Sequence, residues 1–160
     1  MTDTAPTLVF GWGNPSRGDD ALGPTLIDAL QSAGASHPEW GQVDFITDFQ
    51  LAVEHALDLK DRRRVLFADA HTDLSAPYTL APIVPGRDGS FTSHSLSPQA
   101  LLQVFVQIEG NAYPPCWLLS MRAESMELGA TLSHTALASL HQALDAATQW
   151  LNQPLTDYPQ

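Results

Sequence analysis

Apolar positions along the chain alternate between short continuous runs and helically spaced sets. Thr7–Gly11 (TLVFG) is bounded by Pro6 and by the turn signal Gly13-Asn14-Pro15, and predicts a buried strand. Leu22, Leu26, Ile27 and Leu30 recur at helical spacing, with Asp19 and Asp20 suited to the helix start and Gly34 to its end. Val43–Thr47 alternates as a strand, and Leu51, Val53, Ala56, Leu57 and Leu59 predict a short helix. Arg62-Arg63-Arg64 leads as a solvated approach into Val65–Ala68, an apolar strand ending at Asp69. Tyr78–Val84 reads as a strand that Pro82 places at a sheet edge. Pro85–Ser95 is loop. Ser97-Pro98 then opens a helix through Leu101, Leu102, Phe105, Val106 and Ile108. Cys116–Met121 is a last strand, and Ser133 caps a last helix through Leu137, Leu140, Leu144, Ala147 and Leu151.

Strands apolar on both faces, alternating with helices, predict an α/β fold. The expected architecture is a three-layer sandwich with a mainly parallel twisted central sheet flanked by helices. At 160 residues this is one domain, residues 1–160, with 1–6 and 152–160 expected to be loose. Hydrophobic residues make up 44% of the chain, which excludes a disordered acidic polymer. Eighteen Asp and Glu against seven Lys and Arg give a net charge of −11. That balance argues against a nucleic-acid partner, which needs a cationic face, and against an anionic membrane surface. The start of the chain has neither a basic nor an apolar leader segment, and no run approaches a membrane span, so the expected location is cytoplasmic. A single cysteine, Cys116, excludes an internal disulfide and a multi-cysteine metal site.

Ligands in parallel sheets gather beyond the carboxyl ends of the strands. The first strand ends in Gly11-Trp12-Gly13-Asn14-Pro15-Ser16-Arg17-Gly18-Asp19-Asp20. A dinucleotide fingerprint would need a third glycine where Ser16 stands, and the adjacent carboxylates would repel a pyrophosphate. The strand at Val65–Ala68 ends in Asp69, which either caps a turn or meets a cation. His94 lies in the loop before the Ser97 helix. Asp20, Asp69 and His94 thus occupy the mouths of successive strand–helix units. Two carboxylates and an imidazole suit Ni²⁺, Mn²⁺ or Zn²⁺ with coordination positions left open. No Gly-x-Ser-x-Gly elbow and no His-Glu-x-x-His helix occurs. Cys116 reads as a small buried apolar residue.

The segment Leu8-Val9-Phe10-Gly11-Trp12-Gly13-Asn14-Pro15-Ser16-Arg17-Gly18-Asp19-Asp20-Ala21-Leu22-Gly23-Pro24 closely resembles the N-terminal signature of the [NiFe]-hydrogenase maturation endopeptidases. Val65-Leu66-Phe67-Ala68-Asp69-Ala70 and Ser93-His94-Ser95-Leu96 resemble that family's second and third ligand segments. Glu124 and Gly129 resemble its late Glu-x-Gly-type segment, so the likeness runs from about Leu8 to Leu151. The resemblance implies that Asp20, Asp69 and His94 are metal ligands and catalytic residues of a nickel-dependent, aspartic-type or metal-assisted endopeptidase. It further implies that this hydrolase removes the C-terminal extension of a hydrogenase large-subunit precursor after nickel insertion. The nickel would come with the precursor and would not be held tightly by the free enzyme. Where the family commonly carries Asp-Gly-Gly-Thr in a substrate-recognition loop, this chain has Asp48-Phe49-Gln50-Leu51. Asp48, Phe49 and Gln50 are therefore the expected recognition residues, fitted to a different large subunit. The alternative reading is a non-catalytic metal-sensing chaperone or binding module for a hydrogenase subunit.

Overall fold

The computed structural model describes residues 4–87 and 96–155. Five strands form one sheet: β1 (Thr7–Trp12), β2 (Val43–Asp48), β3 (Arg64–His71), β4 (Tyr78–Ile83) and β5 (Cys116–Arg122). Their order is β2-β1-β3-β5-β4. All neighbours pair parallel except β4, which runs antiparallel to β5 at one edge. That is where Pro82 directs it, because a proline cannot donate to a second neighbour. Helices α1 (Leu22–Gly34), α2 (Pro98–Glu109) and α3 (His134–Asn152) and a 3-10 helix (Val53–Leu59) cover the sheet.

The period-two alternation of the central strands divides the core into two layers. Val9, Leu66, Ala68, Leu119 and Met121 face α1 and α3, against Leu26, Leu30, Ala143 and Trp150. Leu8, Phe10, Val65 and Phe67 face the other way, against Leu101, Leu102 and Phe105 of α2 and Ala56 and Leu59 of the 3-10 helix. The expected sandwich is therefore the one formed. Close approach of α1 to the sheet depends on glycine: a Cβ on Gly23 would stand 2.4 Å from the Trp12 carbonyl oxygen. Among the described residues no helix is long and apolar enough to cross a membrane.

One expectation needs correction. The arginine triplet is not a solvated approach. The side chain of Arg62 is 6% exposed and bonds the carbonyls of Asp58 and Ala5 and the carboxylate of Asp44. Arg64 is 1% exposed. Its guanidinium donates to Thr7 Oγ1 and to the carbonyls of Trp150, Leu151 and Gln153, and it lies 4.7 Å from the centre of the Trp150 ring. It satisfies the orphan carbonyls at the α3 C-terminus, where a cation is also favoured by the helix dipole. Described residues near both chain ends also take part in hydrogen bonds. Asn152 Oδ1 accepts from Trp40 Nε1, the Leu155 carbonyl accepts from Arg63, and the Pro6 carbonyl accepts from the Arg63 and Arg64 backbones.

Arg64→Met keeps the length of the side chain but strands those carbonyls. We expect a loss of about 3 kcal/mol, read as a fall of about 10 °C in the thermal midpoint. A shift under about 2 °C in calorimetry would show that Arg64 is merely accommodated.

Candidate functional site

The carboxyl ends of β2, β1 and β3 lie side by side. Trp12 pairs with Asp48, and Gly11 pairs with Ala68, the residue before Asp69. The loop leaving β1 folds back on itself at Gly13. With φ +147°, its Cβ position would stand 1.8 Å from the Asp20 carbonyl oxygen, so only glycine fits. This turn lets the Asn14 backbone N–H donate to Asp20 Oδ2 at 2.7 Å. Asp20 is thereby oriented at the start of α1 and only half-buried.

Asp19 points elsewhere. It is 1% exposed and accepts four hydrogen bonds: from the backbones of Glu124, Ser125 and Ser133, and from the Ser133 hydroxyl. Burial raises its pKa, but the bonds from Ser133, Glu124 and Ser125 outweigh it and leave the group below the usual carboxylate range. Ser133 Oγ in turn accepts from the Ala136 N–H and caps α3. Gly129, at φ +85°, donates its N–H to the Ser16 carbonyl at 2.7 Å. The late segment containing Glu124 and Gly129 is thus laced to the first loop by its backbone, while the Glu124 side chain is exposed.

Asp69 does not end its strand. β3 continues to His71, so Asp69 stands within the sheet opposite Ser120 of β5. Asp69 Oδ1 is buried and has no hydrogen-bond partner among the described residues. Burial pushes this carboxyl up to about 7; the Ser120 hydroxyl opposes that shift, and repulsion from Asp20 adds to it. Asp20 and Asp69 are therefore close enough to feel each other's charge. They are the acidic pair around which a cation would fit, because an unpartnered buried carboxylate oxygen is costly unless something binds it.

His94 lies outside the described residues. Leu96, two residues beyond it, packs on the Leu8, Phe10 and Phe67 layer, the face toward which alternation also turns Asp69. Among the described residues no group of three His, Cys, Asp or Glu is placed to hold a metal. Cys116 sits at the opposite end of the sheet, buried, with its thiol donating to the Pro114 carbonyl and its pKa pushed far up by burial. It is inert as a nucleophile.

Asp48 ends β2 with its side chain half exposed. Phe49 is 66% exposed and Gln50 is also exposed, whereas Leu51 is buried in the core. A groove of about 280 Å³ runs past Gly13, Pro15, Pro24, Thr47, Asp48 and Phe49. Two residues of this region carry no sequence signal: Ser120 is found only through strand register, and His55 only because the 3-10 helix turns it back toward Asp48.

No protein-family model and no curated protein matches the chain. Solved structures do. The hydrogenase maturating endopeptidase HybD from Escherichia coli superposes with a TM-score of 0.68 at 23% identity, covering 92% of each chain. The [NiFe] hydrogenase maturation protease HycI from Thermococcus kodakarensis gives 0.69 at 17% identity, covering 95% of this chain and 96% of its own. A hydrogenase 2 maturation peptidase from a Thaumarchaeota archaeon gives 0.62 at 24% identity, covering 92% and 98%. The chain has the fold of these proteins over nearly its whole length.

The Asp69 shift has a consequence for stability. The native state keeps this proton between about pH 4 and about pH 7, where the unfolded chain has lost it. Stability therefore falls as pH rises through that window, and the full penalty stands above it. Its ceiling is about 4 kcal/mol. Asp69→Asn should unfold several degrees above the parent at pH 8, with the difference vanishing toward pH 4. Equal differences at both pH values, measured by thermal denaturation in chelator, would contradict the burial assigned to Asp69.

Proposed function

We propose that the chain is an endopeptidase that trims the C-terminal extension of a [NiFe]-hydrogenase large-subunit precursor after nickel insertion. The observation that carries this reading is the buried Asp69 Oδ1, which has no hydrogen-bond partner among the described residues and feels the charge of Asp20, on a fold shared with hydrogenase maturation endopeptidases. Asp20, Asp69 and His94 are the proposed ligands. Two carboxylates and one imidazole are an incomplete set, suited to complete the coordination of a nickel ion that the precursor already holds. The absence of a thiolate among them keeps free-enzyme affinity low, so nickel is part of the substrate.

In this reading the residues act mainly by position. Asp20 is aimed by the Asn14 N–H, and Asp69 is held by Ser120 with one oxygen unpartnered among the described residues. Docking on the precursor's nickel brings the scissile peptide into register over the strand ends. Hydrolysis adds water across the amide: hydroxide goes to the carbonyl carbon, the C–N bond breaks, and the leaving nitrogen gains the proton. Nickel held by Asp20, Asp69 and His94 would position the peptide or supply Lewis-acid polarisation of its carbonyl. Asp69 must be ionised to ligate, and an ordinary histidine must fall below half protonation, near pH ~6.5. Activity should therefore decline as pH drops from about 7 to about 6.

Incubation with nickel-loaded and metal-free precursor, followed by mass spectrometry of the large subunit, tests the reading. Only the loaded form should be shortened, and equal cleavage of both would overturn nickel gating. Asp20→Ala and His94→Ala should abolish cleavage by at least ~100-fold with the fold retained, as removal of groups at the reacting centre does. Cys116→Ser should remain active. Binding of the loaded precursor without shortening would replace the peptidase by a docking module.

A further inference from the structure

His55 is a buried histidine that the proposed chemistry leaves unused. It is 9% exposed and stands in the 3-10 helix that follows β2. Its Nδ1 accepts the Ala52 backbone N–H at 2.8 Å. An accepting Nδ1 carries no proton, so the neutral ring must carry it on Nε2. Nε2 lies 3.0 Å from Asp48 Oδ2 and therefore donates to it. The ring is wedged edge-on against Phe10, with centroids 4.8 Å apart at 81°. Phe10 is in turn packed with Trp12 and Phe67, so the imidazole has a rigid floor.

The other Asp48 oxygen accepts the Phe49 N–H at 2.7 Å. Both carboxylate oxygens are thus oriented, yet the side chain is 51% exposed and keeps lone pairs free beside the groove. Asp48 stands two strands from Asp69, about 10 Å across the sheet. That is too far for one cation and suits a donor elsewhere on a bound peptide.

We infer that His55 is a positioning residue: locked in its Nε2–H tautomer by Ala52, it fixes the direction of the Asp48 carboxylate and so sets how the precursor peptide is recognised. This rests on the peptidase reading for its substrate, and on hydrogen bonding alone for the lock. A side chain that positions a recognition group affects substrate binding more than turnover.

The test combines kinetics with a spectrum. His55→Phe fills the ring space but neither accepts from Ala52 nor donates to Asp48. His55→Gln can restore donation to Asp48. With nickel-loaded precursor, His55→Phe should raise KM about tenfold with kcat within about twofold, the worth of one hydrogen bond to a charged group. His55→Gln should recover most of that loss. A purely structural histidine would instead lower the thermal midpoint and the amount of active enzyme, with KM unchanged, and that result would overturn the inference. Should His55→Phe fail to fold, Asp48→Asn must show the same rise in KM. The spectrum is independent of any substrate. Long-range ¹H–¹⁵N correlation of the wild type at about pH 8, where an ordinary histidine is neutral, should find the His55 proton on Nε2 alone. A proton on Nδ1, or a tautomer mixture, would refute the lock even in an active enzyme. A wild type that cleaves nothing refutes the peptidase reading, and the lock is then decided by the spectrum.

Discussion

The buried carboxylate of Asp19 organises one end of the molecule. It accepts four hydrogen bonds from the segment between β5 and α3, and one donor, Ser133, is itself the cap of α3. A charge this deeply buried is tolerable only with such complete pairing. The consequence is geometric. The turn that begins α1 and the turn that begins α3 are joined through one side chain, and Asp20, the next residue, inherits a fixed position at the mouth of β1.

Adjacent aspartates thus divide the work. Asp19 is saturated by protein donors and its charge is stabilised in place. Asp20 accepts one backbone bond, from Asn14, and keeps capacity for something else. Asp69 is the opposite of Asp19: half-buried, with a single hydroxyl partner and a buried oxygen unpartnered among the described residues, its proton affinity raised by burial and by Asp20. A well-satisfied carboxylate supports structure, and a poorly satisfied one beside a like charge marks a place where a cation gains most. The contrast rests on how many donors each receives, because all three groups have the same chemistry.

The same economy holds at the far end of the sheet. Arg64 collects the carbonyls that end α3 and stacks on Trp150, so the sheet's amino end is closed by a cation as its carboxyl end is organised by an anion. Cys116 and Arg62, Arg63 and Arg64 lie on that side, away from the candidate chemistry. The two ends of the sheet therefore differ in their polar groups: Arg64 closes the amino end, and Asp19, Asp20 and Asp48 gather at the carboxyl end.

Strand and helix positions were legible because periodicity reports burial directly: Leu8 and Phe10 face one layer, Val9 the other, and no alternative register buries both. Proline in β4 announced an edge. Asp20 and Asp69 stood out as candidates because carboxylates following apolar strands are conspicuous, and the turn at Gly13 because Gly13-Asn14-Pro15 cannot continue a strand. Other features needed three dimensions. Arginines next to one another read as solvated, yet Arg64 is buried, because its partners are carbonyls some 86 to 89 residues away. Asp19 and Asp20 look alike in sequence, and only the approach of Ser133 separates them. Ser120 meets Asp69 through parallel pairing, and His55 meets Asp48 through a 3-10 turn. Local pattern determines which residues are buried, but which polar groups satisfy one another depends on long-range register, and that only the tertiary structure decides.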